Sequence, residues 1–198
     1  MRLLVILCVV AMTSLTGSAI AQQALDFSTA PTWSAGDTWT FRSFAGPQTI
    51  DTVLAPSADG YTVKYTSPNG AENLVEYDKN LLPPASFQPF TFFWHPQWPL
   101  VPDAKPWTFT ITGTSIGGGP STTWDTTEQV QAFESVTVPA GTFQAVRIHG
   151  HQCSRNDGCG DFDIWYAPQV KFFVKIVLPR VGYWGSGGVE ELLSYQLH

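Results

Sequence analysis

The sequence predicts an all-β domain made of a single antiparallel sheet of about ten strands, strongly curved or shaped as a half-open barrel. Two observations support this prediction. Apolar and polar residues alternate with period two through most of the chain, and turn signals rich in Pro, Gly and Asn separate the alternating stretches. Sequential hairpins of this kind favour an up-and-down arrangement. A two-sheet β-sandwich is the alternative.

The expected strands follow the alternation along the chain. Pro68-Asn69-Gly70 is a turn signal, and a three-residue loop over Asn69–Ala71 should form a hairpin in which Tyr65 lies opposite Val75, which places the apolar residues on one face. Leucines on both sides of the last stretch leave a helix there as an alternative. The expected strands are 37–44, 49–55, 61–66, a strand containing Val75 and Tyr77, and then 107–111, 122–133, 134–138, 143–152, 160–166, 171–178 and 189–197.

The first 21 residues have the features of a secretory signal peptide. Arg2 precedes the ten-residue apolar run Leu3–Met12, and Ala19–Ala21 forms an A-x-A cleavage pattern. We therefore expect a signal peptide over 1–21, a single mature β domain over 22–198, and a secreted or periplasmic protein.

The apolar run of the signal does not predict a membrane anchor. Ten residues are too few to cross about 30 Å of hydrocarbon. Leu7 stands before Cys8, where a lipoprotein signal needs a small residue. We expect neither a membrane span nor a lipid anchor.

Composition argues against several classes of partner. Without Arg2 the chain has 9 basic and 16 acidic residues, a net charge of −7, and no run of Lys or Arg. This charge disfavours nucleic acid and anionic membrane surfaces. The glycine-rich segment Gly117–Pro120 lacks the lysine and helix of a phosphate-binding loop, and no cofactor is expected.

The segment 81–106 differs from the rest of the chain. Its seven prolines exclude a helix and break any long strand. Its aromatic rings are expected either to wall a pocket for an apolar small molecule or lipid, or to plug the open side of the sheet. The candidate ligand-binding residues are Phe87, Phe90, Phe92, Phe93, Trp94 and Trp98.

Cys153 and Cys159 predict a disulfide, because an exported protein meets an oxidising compartment and their spacing differs from a zinc knuckle. A direct cross-strand pair fixes the hairpin register. It places His151 opposite Asp161 and His149 opposite Asp163 on one face.

The pairs His149–Asp163 and His151–Asp161 offer the nitrogen and oxygen ligands of a divalent metal site. Cross-strand ion pairing on a solvated face is the simpler interpretation, and the nearby Arg147 disfavours a cation. Ion pairing is therefore preferred.

No catalytic group stands out. Serine does not occur in a G-x-S-x-G elbow, and His95, between Trp94 and Pro96, is expected to be a packed loop histidine. Paired acids of a glycosidase can lie in any β fold, since their pairing is spatial.

The C-terminal half resembles a known family. The stretch 136–146, V-T-V-P-A-G-T-F-Q-A-V, is followed by Ile164–Pro168, I-W-Y-A-P, and by Glu191–Tyr195, E-L-L-S-Y. This series resembles bacterial exported domains of unknown function that are similar to the lipoprotein-carrier (LolA/LolB-like) half-barrel superfold. The resemblance covers residues 33–197 and implies a fold, with no catalytic residues.

Three functions remain open. The preferred hypothesis is an exported, non-enzymatic, β-barrel-like binding or envelope-accessory protein with an apolar ligand. An extracytoplasmic hydrolase and a structural or interaction module are the alternatives. A buried carboxylate pair in a cleft would favour the hydrolase. The oligomeric state is not predicted.

Overall fold

Ten strands form one antiparallel sheet in the computed structural model, which describes residues 25–42, 48–83, 94–114, 121–154, 158–178 and 187–198. The strands are β1 (Thr38–Arg42), β2 (Thr49–Pro56), β3 (Gly60–Thr66), β4 (Glu72–Asp78), β5 (Trp107–Thr114), β6 (Ser121–Val138), β7 (Gly141–Ser154), β8 (Gly158–Ala167), β9 (Phe172–Leu178) and β10 (Gly188–Gln196). Within these ranges the helical structure is the 3-10 helix Pro168–Val170. None of the described residues belongs to a helix with the length and hydropathy that bilayer crossing requires.

The strand order is β4-β3-β2-β1-β10-β9-β8-β7-β6-β5, so β4 and β5 are the two edges and the sheet is not closed into a barrel. Every neighbouring pair is antiparallel, and the first strand pairs with the last. This confirms the predicted single antiparallel sheet and excludes the sandwich alternative.

Strong curvature of the sheet follows from the contacts of Trp33. Its ring centroid lies 5.4 Å from that of Tyr77 on β4 and 5.2 Å from that of Phe172 on β9. In a flat sheet, strands five positions apart would be separated by about 24 Å. One indole can touch both residues only if the sheet bends around it, so Trp33 marks the inside of the curve, which we call the concave face.

Bonds from three indoles fix the loops that cover the concave face. Trp33 Nε1 donates to the carbonyl of Lys171 at 2.9 Å, and Trp39 Nε1 donates to the carbonyl of Val170 at 2.7 Å. Trp107 Nε1 donates to the carbonyl of His95 at 2.9 Å. These buried indoles satisfy their only donor while their rings fill the core.

Buried Asp37 joins the two ends of the described chain. It accepts the backbone N–H of Ser34 at 2.9 Å and that of His198 at 2.7 Å, and its carboxylate lies 3.1 Å from Lys171 Nζ. A fully buried carboxylate is tolerated because these donors and the ammonium replace water.

Two local predictions are corrected. The β3–β4 hairpin pairs Val63 with Val75, and Tyr65 lies opposite Asn73, so the predicted register is wrong by two residues. The reason is Gly70, whose φ of 83° closes a three-residue loop one position earlier. A shift of two preserves the faces, so Val75 is still buried.

The regions predicted as strands 122–133 and 134–138 form one strand, β6, with a register irregularity between Val130 and Ala132. The C-terminal stretch is the strand β10, and the helical alternative is not found. The first strand ends at Arg42 in the described range, and residues 43–47 lie outside it.

We predict that Trp33→Ala lowers the free energy of unfolding by about 3–5 kcal/mol, because the indole fills the centre of the curve. Urea denaturation measures this. Leu74→Ala is the control, since Leu74 is 63% exposed and its loss should change stability by less than about 0.5 kcal/mol. Equal losses in the two variants would contradict the central position of Trp33.

Candidate functional site

The segment that begins at Trp94 crosses the concave face. Trp94 is 3% exposed, and its ring stacks on Tyr166 at 5.8 Å between centroids and contacts Phe172 edge-on at 5.7 Å. Trp98 meets the same Tyr166 ring edge-on at 5.2 Å, and its indole donates to the carbonyl of Asn80. Leu100 is fully buried and donates its N–H to the carbonyl of Phe27.

Of the six residues predicted to bind an apolar ligand, Trp94 and Trp98 thus lie against the core. The other four, Phe87, Phe90, Phe92 and Phe93, are outside the described residues. Trp94 itself takes the position of a plug, one of the two arrangements predicted for this segment.

Three polar side-chain atoms near this segment are buried and make no hydrogen bond to another described residue: Trp94 Nε1, His95 Nδ1 and Glu128 Oε1. Glu128 lies directly opposite Trp107 across the β5–β6 pair, and Trp107 is bonded to the His95 carbonyl. His95 and Glu128 therefore both neighbour Trp107. We call Trp94, His95 and Glu128 the polar cluster.

Burial disfavours charge on the polar cluster. Burial lowers the pKa of His95 to about 4, and its ring stacks on Phe109 at 4.2 Å, as expected for a packed loop histidine. Burial raises the pKa of Glu128 well above its ordinary value, and a hydrogen bond with the Trp107 side chain acts in the opposite direction. The cluster thus presents an indole N–H, an imidazole and a carboxyl inside an apolar face that favours their neutral forms.

A second set of acidic groups lies on the same concave face, towards β2 and β10. Asp51 is opposite Trp39 on one side and Tyr65 on the other. Glu190 precedes buried Leu192 by two residues, shares its face, and is 5% exposed. No ion pair joins either carboxyl to a described Lys, Arg or His.

The ionisation of these two carboxyls is coupled. Burial raises the pKa of Asp51 to about 7. Burial raises the pKa of Glu190 to about 8, with a further contribution from the charge of Asp51 and an opposing one from the Thr49 hydroxyl. Burial and the charges of Asp51 and Glu190 raise the pKa of Tyr65, which lies opposite Asp51 in the β2–β3 pair.

Sequence reasoning did not select Glu128, Asp51 or Glu190. Glu128 can be found from the alternation along β6. It follows Trp124 and Thr126 at intervals of two residues, and all three are buried. An acid at an inward position of an alternating strand has to be protonated, paired or functional. The closeness of Asp51 and Glu190 depends on the pairing of the first strand with the last, which no local pattern specifies.

Two clefts open beside this face. One of about 570 Å³ is lined by residues that include Trp33, Tyr61 and Lys79. An adjacent one of about 420 Å³ is lined by residues that include Tyr77 and Asp78. Both volumes fall in the range of small-molecule sites, and neither cleft is lined by Trp94 or Trp98.

The opposite, convex face carries the predicted histidine and aspartate pairs. Cys153 lies opposite Cys159, His151 opposite Asp161 and His149 opposite Asp163, as the disulfide register predicts. The two sulfur atoms are 2.04 Å apart, the distance of a disulfide bond.

The four candidate metal ligands form two close pairs, which a longer contact of 3.9 Å between His149 Nε2 and Asp161 Oδ1 connects. His149 Nδ1 lies 3.1 Å from Asp163 Oδ1, and His151 Nδ1 lies 2.6 Å from Asp161 Oδ1. Among the described His, Cys, Asp and Glu residues, the ligand atoms that converge within 4.8 Å belong to His151, Cys153 and Cys159, and both cysteines are in the disulfide. This geometry favours cross-strand pairing over a metal site of His149, His151, Asp161 and Asp163.

No protein-family model and no curated protein matches the sequence. Three solved structures align with it. A predicted lipoprotein of Parabacteroides distasonis is 14% identical, over 88% of this chain and 100% of its own, with a TM-score of 0.43. The hypothetical lipoprotein YmcC of Escherichia coli is 14% identical, over 80% and 83% of the two chains, with a TM-score of 0.49. A predicted exported protein of Bacteroides fragilis with a YmcC-like fold is 12% identical, over 85% and 99%, with a TM-score of 0.46.

We predict that stability falls as the pH rises, because the folded state holds Asp51 and Glu190 protonated. Their pKa values are raised, so their stabilising contribution is complete below about pH 4 and is lost as the pH passes through about 7 to 8. The free energy of unfolding should decrease by an amount on the order of 3 kcal/mol between pH 5 and pH 8.5.

Thermal denaturation across this pH range measures the effect. Glu190→Gln should remove a large part of the slope. Glu191→Gln is the matched control, because Glu191 is the next residue, points to the convex face, and pairs with Lys175 and Arg42. If the free energy of unfolding depended on pH equally in Glu190→Gln and in the wild type, the interpretation of Glu190 as a buried acid without a counter-charge would be refuted.

Proposed function

We propose that this is an exported, non-enzymatic binding protein that takes an amphiphilic ligand, with an acyl-type apolar body, on the concave face of its sheet. The observation that supports this most directly is the polar cluster of Trp94, His95 and Glu128. Each has a buried polar atom with no hydrogen-bond partner among the described residues.

Unpartnered buried groups are costly. Leaving a buried donor or acceptor unsatisfied costs about 1–3 kcal/mol, so native proteins keep few of them. The unpartnered atoms of His95 and Glu128, which neighbour Trp107, and that of Trp94 are explained if polar groups of a ligand bond to them. Because burial disfavours charge in the cluster and aromatic rings surround it, the cluster suits a neutral head such as a hydroxyl, an ester or a protonated acid.

Aromatic rings next to this cluster would contact the rest of such a ligand. Trp94, Tyr166, Phe172 and Phe173 form one contiguous aromatic surface, with ring centroids 4.4–6.1 Å from their neighbours. All four rings are buried in the free protein, so an acyl chain reaches them only by displacing the segment that begins at Trp94, and its apolar contacts then replace those of that segment. The family resemblance to carrier-like half-barrels, noted from the sequence, agrees with this proposal.

We predict that Glu128→Met stabilises the free protein and weakens ligand binding. The change replaces a buried carboxyl, one oxygen of which has no partner, by an apolar side chain of similar size, which removes a desolvation cost. It also removes the group that would bond to the ligand head. Binding of a fluorescent fatty acid, followed by fluorescence titration, should weaken about tenfold, the equivalent of about 1.4 kcal/mol.

Gln129→Met is the matched control, because Gln129 is the next residue of β6 and lies on the convex face opposite His149. It should leave affinity unchanged. Two results would reject the proposal: no saturable binding of the fatty acid to the wild type, or equal affinities for Glu128→Met and Gln129→Met.

The extracytoplasmic hydrolase is a second candidate, favoured by Asp51 and Glu190. Two coupled carboxyls with pKa values of about 7 and 8 can differ in protonation near neutral pH, as acid–base pairs of hydrolases do. Turnover of an ester or glycoside probe by the wild type, lost in Glu190→Gln, would favour this function over ligand binding.

A further inference from the structure

The end of the β7–β8 hairpin places a disulfide, an imidazole and a carboxylate in line. Asp161 Oδ1 lies 2.6 Å from His151 Nδ1, and His151 Nε2 lies 3.3 Å from Cys153 Sγ. The bond to Asp161 assigns the proton of the neutral ring to Nδ1, so Nε2 is the nitrogen that faces the sulfur.

The two sulfurs differ in their surroundings. Cys159 belongs to an exposed residue, whereas Cys153 is half-buried and is the sulfur that contacts His151. An external thiolate therefore has its open approach to Cys159 Sγ, and Cys153 becomes the leaving group. The S–S bond breaks faster when the departing thiolate is stabilised.

The imidazole is the group placed to stabilise that thiolate. Asp125 on β6 lies opposite Cys153, and its carboxylate, held by the Thr110 hydroxyl at 2.8 Å, opposes a negative charge there. His151 in its imidazolium form presents an N–H at Nε2 to the same sulfur. A cysteine beside a histidinium has its thiolate favoured, as in activated cysteine nucleophiles.

We propose that Cys153–Cys159 is an exchange-active disulfide whose reduction by a thiol is assisted by His151. A substrate thiolate attacks Cys159 Sγ, a mixed disulfide with Cys159 forms, and the Cys153–Cys159 bond breaks. The proton released by the substrate thiol converts His151 to the imidazolium, which carries a proton on each ring nitrogen. Cys153 leaves with the electron pair, accepts a hydrogen bond from His151 Nε2 and then takes its proton. A second substrate thiolate attacks the substrate sulfur of the mixed disulfide and releases Cys159 as a thiolate, which takes up the proton of the second thiol from solvent.

The net reaction converts two thiols and the protein disulfide into a substrate disulfide and the dithiol form of the protein. In the reverse direction His151 Nε2 takes the proton from Cys153, and the thiolate attacks the mixed disulfide. The substrate class is a small or protein-borne thiol reaching the exposed convex face. This site is on the opposite face from the proposed ligand site and is independent of it.

The experiment is the rate of reduction of the folded protein by glutathione at pH 7, followed by alkylation of free thiols and mass spectrometry. His151→Ala should react more slowly by a factor on the order of ten. His149→Ala is the control, because His149 lies two residues away, has its close bond with Asp163 at 3.1 Å, and has a longer contact of 3.9 Å to Asp161, the partner of His151. It should react at the wild-type rate.

A second readout uses the reduced protein. Iodoacetamide should modify Cys153 of the wild type faster at pH 7 than Cys153 of His151→Ala, because the thiolate fraction is larger. His151 is exposed, so its variant should remain folded. Reduction rates of His151→Ala and His149→Ala within a factor of two, or equal alkylation rates, would overturn the proposal.

Discussion

The fold depends on one constraint: the described residues form a single sheet with an apolar face to bury, and no second sheet among them covers that face. The chain meets this constraint by bending the sheet around its own irregular segments. Trp33 and Trp94 come from two such segments, and both rings contact Phe172 on β9. Trp33 also contacts Tyr77 on β4, and Trp94 also contacts Tyr166 on β8. The curvature of the sheet, the path of these segments and the composition of the core therefore depend on the same aromatic contacts.

The acidic residues inside this core differ in the partners that they have. Asp37 has backbone donors and Lys171, and it ties the start of β1 to the C-terminal residue. Glu128 has an oxygen without a partner, and Asp51 and Glu190 have no described counter-cation. Since an apolar residue at any of these three positions would be cheaper for folding, their presence is better explained by function than by stability.

Much of the sheet could be predicted from the sequence where a local rule decides the answer. Alternation located the strands, and pairing Cys153 with Cys159 fixed the β7–β8 register, because one direct pair sets every other pair of a hairpin. The β3–β4 register was wrong by two residues, because the position of the loop depends on the backbone of Gly70. Turn composition alone does not reveal which three residues form the loop.

The candidate site was harder to predict, because it is assembled by long-range pairing. Trp94 was found as an aromatic in a proline-rich stretch, but its contact with Phe172 is separated by many residues in sequence. Glu128 joins the site only because β5 and the His95 loop both meet Trp107. Sequence patterns of two or three residues predict strands well, but they do not predict which distant residues meet in the folded protein.

We propose that the concave face holds an amphiphile whose polar end bonds to the buried polar cluster. Native mass spectrometry of the protein, purified from its own host without detergent, is the most direct test of this proposal. We expect a one-to-one complex with a ligand of lipid-like mass, whose occupancy falls in Glu128→Met and is kept in Gln129→Met. A spectrum containing only the bare polypeptide mass, in the wild type as in both variants, would contradict it.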